Sequence, residues 1–319
     1  MTSLLLAVLW QVVQLALVLA LAPLLTGWVR WVKSRLLARR GASPFQPYRD
    51  ILRLLRKDVV LAHNASWLFR ASPYMIFTAI WVAAGLVPAF TSHLALAPSA
   101  DLIALVALLG SARFFLALAG MDVGTSFGGI GSSREMMIAA FAEPAMLMIV
   151  FSVAILVGTT SLAEIADFMV SGTVGLRVSL ALALIALIMV AIAENARIPI
   201  DNPATHLELT MVHEAMVLEY SGRHLALVEG AAMLKLLLYM ALIACIFLPW
   251  GMAHPGDGVG WALWGLVTFT AKMAVGGAAL AVFETSIAKM RVFRVGDFLG
   301  GALLLGILGA IFLFVSRGV

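Results

Sequence analysis

The sequence predicts an all-α polytopic membrane protein, with eight transmembrane helices and a cytoplasmic interfacial amphipathic helix after the first span. Three observations lead to this fold class. The 319 residues are 63% hydrophobic and 12% charged, with a mean hydropathy of +1.05, whereas soluble domains are about 45–50% apolar and about 25% charged. The apolar residues form eight runs, each near the ~20 residues that cross a bilayer. Lysines and arginines gather on alternate loops between those runs.

The eight predicted spans set the topology. They cover residues 4–28, 73–92, 101–120, 136–157, 176–194, 225–249, 261–284 and 298–315, and we treat residues 1–319 as a single transmembrane domain. With this count, sixteen loop lysines and arginines lie on one side, and only Arg177 and Arg317 lie on the other. Cytoplasmic loops carry an excess of Lys and Arg. The chain is therefore predicted to be integral to the plasma (inner) membrane, with both termini on the outer side.

The first cytoplasmic loop, about residues 30–70, is strongly basic. Pro44 and Pro47 precede a segment in which Arg49, Arg53 and Arg56 fall on one helical stripe. The opposite stripe carries Ile51, Leu52, Leu55 and Val59. Such a segment is typical of an amphipathic helix lying in the membrane interface. Two roles remain open for it: an anchor in the lipid, or in addition the floor of a docking surface for a soluble partner.

A second segment, residues 121–135, is rich in Gly and Ser. The glycines Gly128, Gly129 and Gly131 are reminiscent of a phosphate-binding loop, but no Lys-Ser/Thr pair follows them and no strand precedes them. We predict a flexible loop close to the partner surface.

The longest polar interval in the second half of the chain is the acidic cytoplasmic loop, about residues 194–224. A polar segment between two membrane-length runs must lie outside the lipid or be buried in protein. Pro199 and Pro203 break any helix that enters it, and residues 205–220 are predicted to form a helix. Two interpretations remain open. The loop is a helix whose carboxylates only keep it solvated, or it is a functional surface, because long loops more often have a function than none.

Several charges fall inside the predicted spans, where each needs a partner or a wet cavity. Arg113 and Glu143 each lie about seven residues from a cytoplasmic helix end, so they are placed to pair across helices. Lys235 and Lys272 fall near the midplane. Glu194 and Glu284 close the fifth and seventh spans on the cytoplasmic side. These groups either fix helix register as ion pairs or form a hydrated chain that passes protons, because buried ionisable groups change charge when a neighbour does.

Composition excludes several function classes. The single cysteine, Cys245, cannot by itself ligate an iron–sulfur cluster or zinc, so any redox centre belongs to a partner. No Ser/His/Asp or Cys/His nucleophile set has a plausible sequence context. His206 and His213 give only a weak indication of a metal site, because they are seven residues apart and not at the i, i+4 spacing usual for zinc, so no metal site is expected. The basic residues sit beside the spans, so lipid and topology explain the net charge of +4 better than nucleic acid. The chain alone is predicted to be non-catalytic.

The acidic loop carries a resemblance to a known family. Its motif residues are Glu194, Arg197, Pro199, Asp201, Glu208, Glu219, Tyr220, Ser221 and Gly222. This pattern resembles the third cytoplasmic loop of the subunit 1 (H) family of respiratory complex I and of its relatives in membrane-bound hydrogenases. Ile200 replaces the usual Phe, and Ala204 and His206 stand where complex I subunits carry further carboxylates. Those departures are closer to the formate hydrogenlyase and energy-converting hydrogenase branch.

The resemblance implies a membrane subunit that anchors a soluble hydrogenase arm and couples its electron transfer to proton or sodium translocation. It implies partners: a nickel–iron large subunit and an iron–sulfur small subunit on the cytoplasmic face, and antiporter-like membrane subunits. No cofactor is expected on this chain. The residues expected along the coupling path are Arg113, Glu143, Glu194, Asp201, Glu208, Glu219, Lys235, Lys272 and Glu284. Those expected at the docking surface are Arg39, Arg40, Arg49, Arg53, Arg134, Arg197, Tyr220 and Arg223.

Two other functions stay open from the sequence. In a quinone-site subunit of NADH:quinone oxidoreductase, a quinone headgroup would enter beneath the acidic loop. A stand-alone ion transporter would act without partners. The thinned carboxylates at Ala204 and His206 favour the hydrogenase interpretation over the first. The lack of an evident internal repeat counts against the second.

Overall fold

The computed structural model describes residues 2–170, 178–197, 211–254, 257–287 and 295–317. These ranges are helical, with short connections and no strand beyond two isolated bridges. A 3₁₀ turn covers Ala97–Ser99. The α-helices are α1 (Thr2–Leu36), α2 (Gln46–Leu55), α3 (Trp67–Leu86), α4 (Leu102–Asp122), α5 (Ser126–Val157), α6 (Leu162–Val170), α7 (Val178–Glu194), α8 (His213–Val217), α9 (Gly222–Phe247), α10 (Val259–Ser286) and α11 (Val295–Arg317).

The long helices make this an integral membrane protein. Within the described ranges, six helices are long and apolar enough to cross a membrane: α1, α4, α5, α9, α10 and α11. Helix α7 is apolar but has only 17 residues. Helix α3 has 20 residues and carries Arg70 and Pro73 near its start. The structure therefore establishes six candidate spans, where the sequence predicts eight.

Two predicted boundaries differ from the structure for identifiable reasons. The second predicted span, 73–92, corresponds to α3, which starts at Trp67 because Ser66 Oγ accepts the Leu68 amide at 3.1 Å. The predicted flexible loop 121–135 is wrong, since α5 begins at Ser126, capped by Thr125. Two of its glycines serve close packing: a Cβ on Gly128 would lie 2.1 Å from the Gly120 carbonyl oxygen, and one on Gly131 would lie 2.8 Å from the Val212 carbonyl oxygen.

The predicted helix 205–220 lies only partly within the described residues. There, helix α8 covers His213–Val217. The chain then turns through Gly222, at φ +52°, into α9. Gly222 is required at this point, because a Cβ would also lie 2.6 Å from the Asp58 carbonyl oxygen.

Helix α9 is the centre of the bundle. In its most apolar 18-residue stretch 72% of the residues are buried, against 22% for α1 and for α10. It packs against α1, α2, α3, α6, α7 and α10. A charged residue in the middle of α9 therefore faces protein rather than lipid, so it requires partners from the surrounding helices.

The loop after α9 folds back into the bundle. Ala253 donates to the Phe90 carbonyl at 2.9 Å, and Gly251 turns with φ +78°. The Lys272 amine of α10 donates to the carbonyls of Leu248 and Trp250, each at 2.5 Å. Lys272 thus satisfies orphan carbonyls just beyond the end of α9, where the helix dipole favours a cation.

Asp101, which follows the 3₁₀ turn, caps the N-terminus of α4. Its Oδ1 accepts the amides of Ile103 at 2.6 Å and Ala104 at 3.4 Å, and Oδ2 accepts the Thr160 hydroxyl. Partial burial by itself would raise the pKa of Asp101, but these hydrogen bonds to the carboxylate outweigh it, so the net pKa lies below the usual range.

Candidate functional site: a buried ionic cluster

Five charged side chains meet between four helices. Arg113 of α4 is the centre: its Nε lies 3.3 Å from Glu135 Oε1, its Nη1 lies 3.7 Å from Glu143 Oε1, and its Nη2 contacts Glu194 Oε1. The other oxygen of Glu194 accepts from Lys235 Nζ at 3.2 Å. We call these five residues the ionic cluster. Glu194 is its junction, because one carboxylate bridges two cations.

The cluster forms where α7 ends. Arg113 and Lys235 lie near the middle of α4 and α9, whereas Glu194 is the last residue of α7. Ala196 then adopts φ +50°, and the Arg197 amide returns to the Ile192 carbonyl at 2.9 Å. This left-handed closure satisfies carbonyls at the helix end. The helix terminus consequently lies at the level of the neighbouring helix centres, where protein groups surround it.

The side chains of the cluster differ in exposure, and its carboxylates outnumber its cations. The side chains of Arg113, Glu194 and Glu135 are 5%, 6% and 11% exposed, and that of Glu143 is 48% exposed. With every group ionised, three carboxylates face two cations, which leaves one negative charge. Moreover, Arg113 Nε and Nη1 are buried without hydrogen-bond geometry.

A cavity of about 80 Å³ reaches the cluster. Its lining includes Glu135, Glu194, Asn195, His213 and Lys235. A buried water needs about 10–15 Å³ of such space and two or more polar partners. The cavity therefore has room and partners for water next to the junction carboxylate.

A second ionic group lies one turn beyond the first. Glu284, with a side chain 7% exposed, accepts from Lys33 at 2.7 Å and from Arg197 at 3.2 Å. Arg197 follows Glu194 by three residues, so the end of α7 links both groups. Lys33 and Glu284 lie near the ends of α1 and α10, which ties these helices to α7.

The remaining predicted residues lie in different places. Arg134 Nη1 donates to the Met211 carbonyl at 2.8 Å, so it holds α5 to the described end of the acidic loop. Glu219 is half-buried, and Lys272 belongs to the end of α9 rather than to the ionic cluster. Asp201 and Glu208 lie outside the described residues. Five of the arginines that were predicted at the docking surface are exposed: Arg39, Arg40, Arg49, Arg53 and Arg223.

Tyr220 is buried instead of exposed to a partner. Its ring stacks on Phe69 at 4.1 Å between centroids, and its hydroxyl donates to the Phe69 carbonyl at 3.2 Å. Burial, and secondarily the Asp122 carboxylate, raise the pKa of Tyr220, so it stays protonated. This side chain positions the end of the acidic loop against α3.

Sequence reasoning missed two members of these groups. Glu135 is the last residue of the predicted loop 121–135, yet it lies on α5 two turns before Glu143. That spacing places both carboxylates on one side of a helix, a signal that the incorrect loop boundary concealed. Lys33 stands among many loop cations, so nothing in the sequence marks it as the partner of Glu284.

Comparisons with known proteins agree with this architecture. The profile of the NADH dehydrogenase family matches residues 9–315. The chain belongs to this family. It is 33% identical over 286 residues to formate hydrogenlyase subunit 4 of Escherichia coli K12, covering 90% of this chain and 92% of that protein. Hydrogenase-4 component C of the same organism is 33% identical over 247 residues, covering 77% of each chain.

Two further matches are more distant in sequence. A subunit of NADH-quinone oxidoreductase from Rubrobacter xylanophilus is 24% identical over 243 residues, covering 73% of this chain and 72% of that protein. A chain in the structure of the membrane-bound sulfane sulfur reductase, an archaeal respiratory membrane complex, superposes with a TM-score of 0.79 at 20% identity. That match covers 95% of this chain and 98% of the other. The protein is thus a complex I-like membrane subunit.

Proposed function

We propose that this chain is the membrane subunit of a formate hydrogenlyase-type hydrogenase, which anchors the soluble hydrogenase arm and couples its electron transfer to proton or sodium translocation. The observation that carries the proposal is the ionic cluster, in which the carboxylate of Glu194 joins Arg113 and Lys235, two cations near the middle of α4 and α9. Identity supports the hydrogenase branch: the two hydrogenase relatives share 33%, and the NADH-quinone oxidoreductase subunit shares 24%.

The proposed placement in the membrane has eight spans. Helices α3 and α7 are two further spans in addition to the six long helices, and both termini of the chain lie on the outer side of the membrane. Helix α2 lies in the cytoplasmic interface, because Leu52 and Leu55 are 54% and 50% exposed along one side and Arg49 and Arg53 are exposed along the other. This arrangement places the exposed arginines where a soluble arm would dock.

The redox centres belong to the proposed partners. Among the described residues, no group of three His, Cys, Asp or Glu side chains could hold a metal ion, and the chain has one cysteine. These donors do not fit a nickel–iron centre or an iron–sulfur cluster. In our proposal those groups reside in a hydrogenase large subunit and an iron–sulfur small subunit. The antiporter-like membrane subunits are the partners in which ion translocation is coupled to the electron transfer.

The proposed coupling uses Glu194 as a junction. A proton on Glu194 would weaken its bonds to Arg113 and Lys235 together, because both cations share that carboxylate. The freed cations would then change the field felt by Glu135 and Glu143. In a site of low dielectric such changes act strongly over a few ångströms. Water in the adjoining cavity supplies the proton from the cytoplasmic loop.

The test uses the whole complex reconstituted in vesicles, with hydrogen production and ion movement followed together. Glu194→Gln is expected to retain hydrogen production and to lose most ion movement. Glu164→Gln, an exposed acid of α6, is the matched control and should behave as wild type. Full coupling in Glu194→Gln would reject the proposal. Tight binding of a quinone-site inhibitor would favour the quinone oxidoreductase function, and ion transport by the purified chain alone would favour a stand-alone transporter.

A further inference from the structure

One carboxylate of the ionic cluster lies at the outside of the helix bundle. The side chain of Glu143 is 48% exposed, whereas those of Glu194 and Glu135 are 6% and 11% exposed. Its Oε1 lies 3.7 Å from Arg113 Nη1, which is longer than a hydrogen bond. Among the described residues, Oε2 of Glu143 makes no hydrogen bond or ion pair. The described part of the chain therefore compensates this carboxylate only in part.

Glu143 lies in the middle of a membrane span. Helix α5 is a candidate span of 32 residues, which is about 48 Å at 1.5 Å per residue. Glu143 follows Ser126 by 17 residues and precedes Val157 by 14, so about 26 Å and about 21 Å separate it from the two helix ends. A hydrocarbon core of ~30 Å placed anywhere along α5 includes Glu143. The cavity at the ionic cluster is not lined by Glu143, so its exposed side faces away from that cavity.

A second acceptor without its usual donor lies beside Glu143. Pro144 has no N–H group, so it cannot donate to the carbonyl of Ala140, which lies four residues earlier in α5. Ala140, Glu143 and Pro144 are all exposed, and Phe114 of α4 is 51% exposed. An acyl chain offers no donor to either acceptor, and an unsatisfied polar group in hydrocarbon is costly. Lipid alone therefore does not satisfy this face of α4 and α5.

The chemistry of this face defines its partner. Glu143 and the Ala140 carbonyl both accept hydrogen bonds, so the complement is a donor, and a basic side chain also compensates the charge. A second copy of this chain, packed by two-fold symmetry, would place the same acceptors opposite each other. The approach to the carboxylate is open from α4, because Gly110 carries no side chain and even a Cβ there would lie 3.6 Å from Glu143 Oε1. Small residues of this kind allow membrane helices to approach closely.

We propose that the face of α4 and α5 around Glu143 binds a transmembrane helix of a neighbouring membrane subunit, and that this helix presents a Lys or Arg to Glu143. The inference rests on the proposed function, because it requires a membrane complex with several subunits. It adds the surface at which the ionic cluster meets one of them. Glu143 then lies between the partner's cation and Arg113, so the charge of the partner acts on Arg113 through this carboxylate.

Photo-cross-linking in the intact complex identifies the occupant of this face. Benzoylphenylalanine replaces Ala107, an exposed residue one turn from Gly110 on α4. The control position is Val275, which is 70% exposed on α10, a helix that packs against α1 and α9. We expect Ala107 to be joined to a transmembrane peptide of another subunit with a Lys or Arg within about two helical turns of the cross-link. Val275 should give no product with that peptide.

Three results of the cross-linking would overturn the proposal. They are a product at position 107 with lipid alone, a product with this chain or a second copy of it, and a partner peptide without a basic residue at that level. Peptide masses report the contact between subunits, whereas ion movement in Glu194→Gln reports the proposed coupling. Either proposal can therefore fail while the other stands.

A charge exchange tests the contact at Glu143 itself. Glu143→Lys places like charges across the interface, so the amount of the neighbouring subunit that copurifies should fall by at least about ten-fold. Replacing the identified Lys or Arg of the partner by Glu should restore copurification in the double variant. Glu164→Lys, which reverses an exposed acid of α6, is the control and should behave as wild type. Wild-type copurification in Glu143→Lys, or no restoration in the double variant, would contradict the contact. The cross-linking leaves Glu143 unchanged, so it does not depend on assembly of Glu143→Lys.

Discussion

Replacing Arg113 by Met would test whether the ionic cluster is a coupled unit. The side chain of Arg113 is 5% exposed and lies within ion-pair distance of Glu135, Glu143 and Glu194. Its loss leaves three carboxylates facing Lys235 alone, so the formal charge of the cluster changes from −1 to −2. Removing one partner of a buried ion pair costs about 3–5 kcal/mol. We expect a loss of stability of that size, measured by thermal unfolding of the purified complex.

The double variant Arg113→Met/Glu194→Gln provides the decisive comparison. It leaves two carboxylates and one lysine, which restores the charge of −1, so it should recover about 0.5–3 kcal/mol relative to additive losses. Arg53→Met is the control, because Arg53 pairs with Asp50 at an exposed site and such pairs are worth about 0–1 kcal/mol. The reasoning is refuted if Arg113→Met costs no more than Arg53→Met, or if the double variant shows no recovery.

Three further outcomes are expected. Asp201→Asn and Glu208→Gln should reduce ion movement per hydrogen formed in reconstituted vesicles with little effect on assembly, and wild-type coupling in both would remove the acidic loop from transduction. Gly128→Ala should destabilise the protein by about 1–3 kcal/mol through overpacking. Gly129→Ala should be neutral or stabilising, because nothing lies within 4 Å of its Cβ position. Equal stabilities of the two variants in thermal unfolding would contradict the close packing of α4 and α5. Because the pKa of Asp101 is lowered in the folded state, the Asp101 carboxylate stabilises the fold fully above the unfolded pKa near 3.8, and this stabilisation is lost as pH falls through the lower folded pKa. Asp101→Asn should therefore reduce the loss of stability at acidic pH. An unchanged pH dependence in this variant would contradict the capping role of Asp101.

The sequence predicted correctly those features that depend only on the type of residue at each position. Apolar length predicted the long helices, and the cost of an unpaired charge in lipid directed attention to Arg113, Glu143 and Lys235. The pairing of Arg113 with Glu143 is present, at 3.7 Å. The sequence was a poor guide at residues 121–135, because glycines that usually indicate a loop here allow α5 to approach α4. That error also hid Glu135.

The sequence by itself determined that this is a helical membrane protein of the complex I-like type, and that Arg113, Glu143 and Lys235 lie within its long helices. Only the tertiary structure decided how these groups are connected. Each residue turns a helix by about 100°, and packing sets how deep one helix lies against the next. Consequently, Glu194 joins Arg113 to Lys235, Glu284 joins Lys33 to Arg197, and Lys272 serves the end of α9.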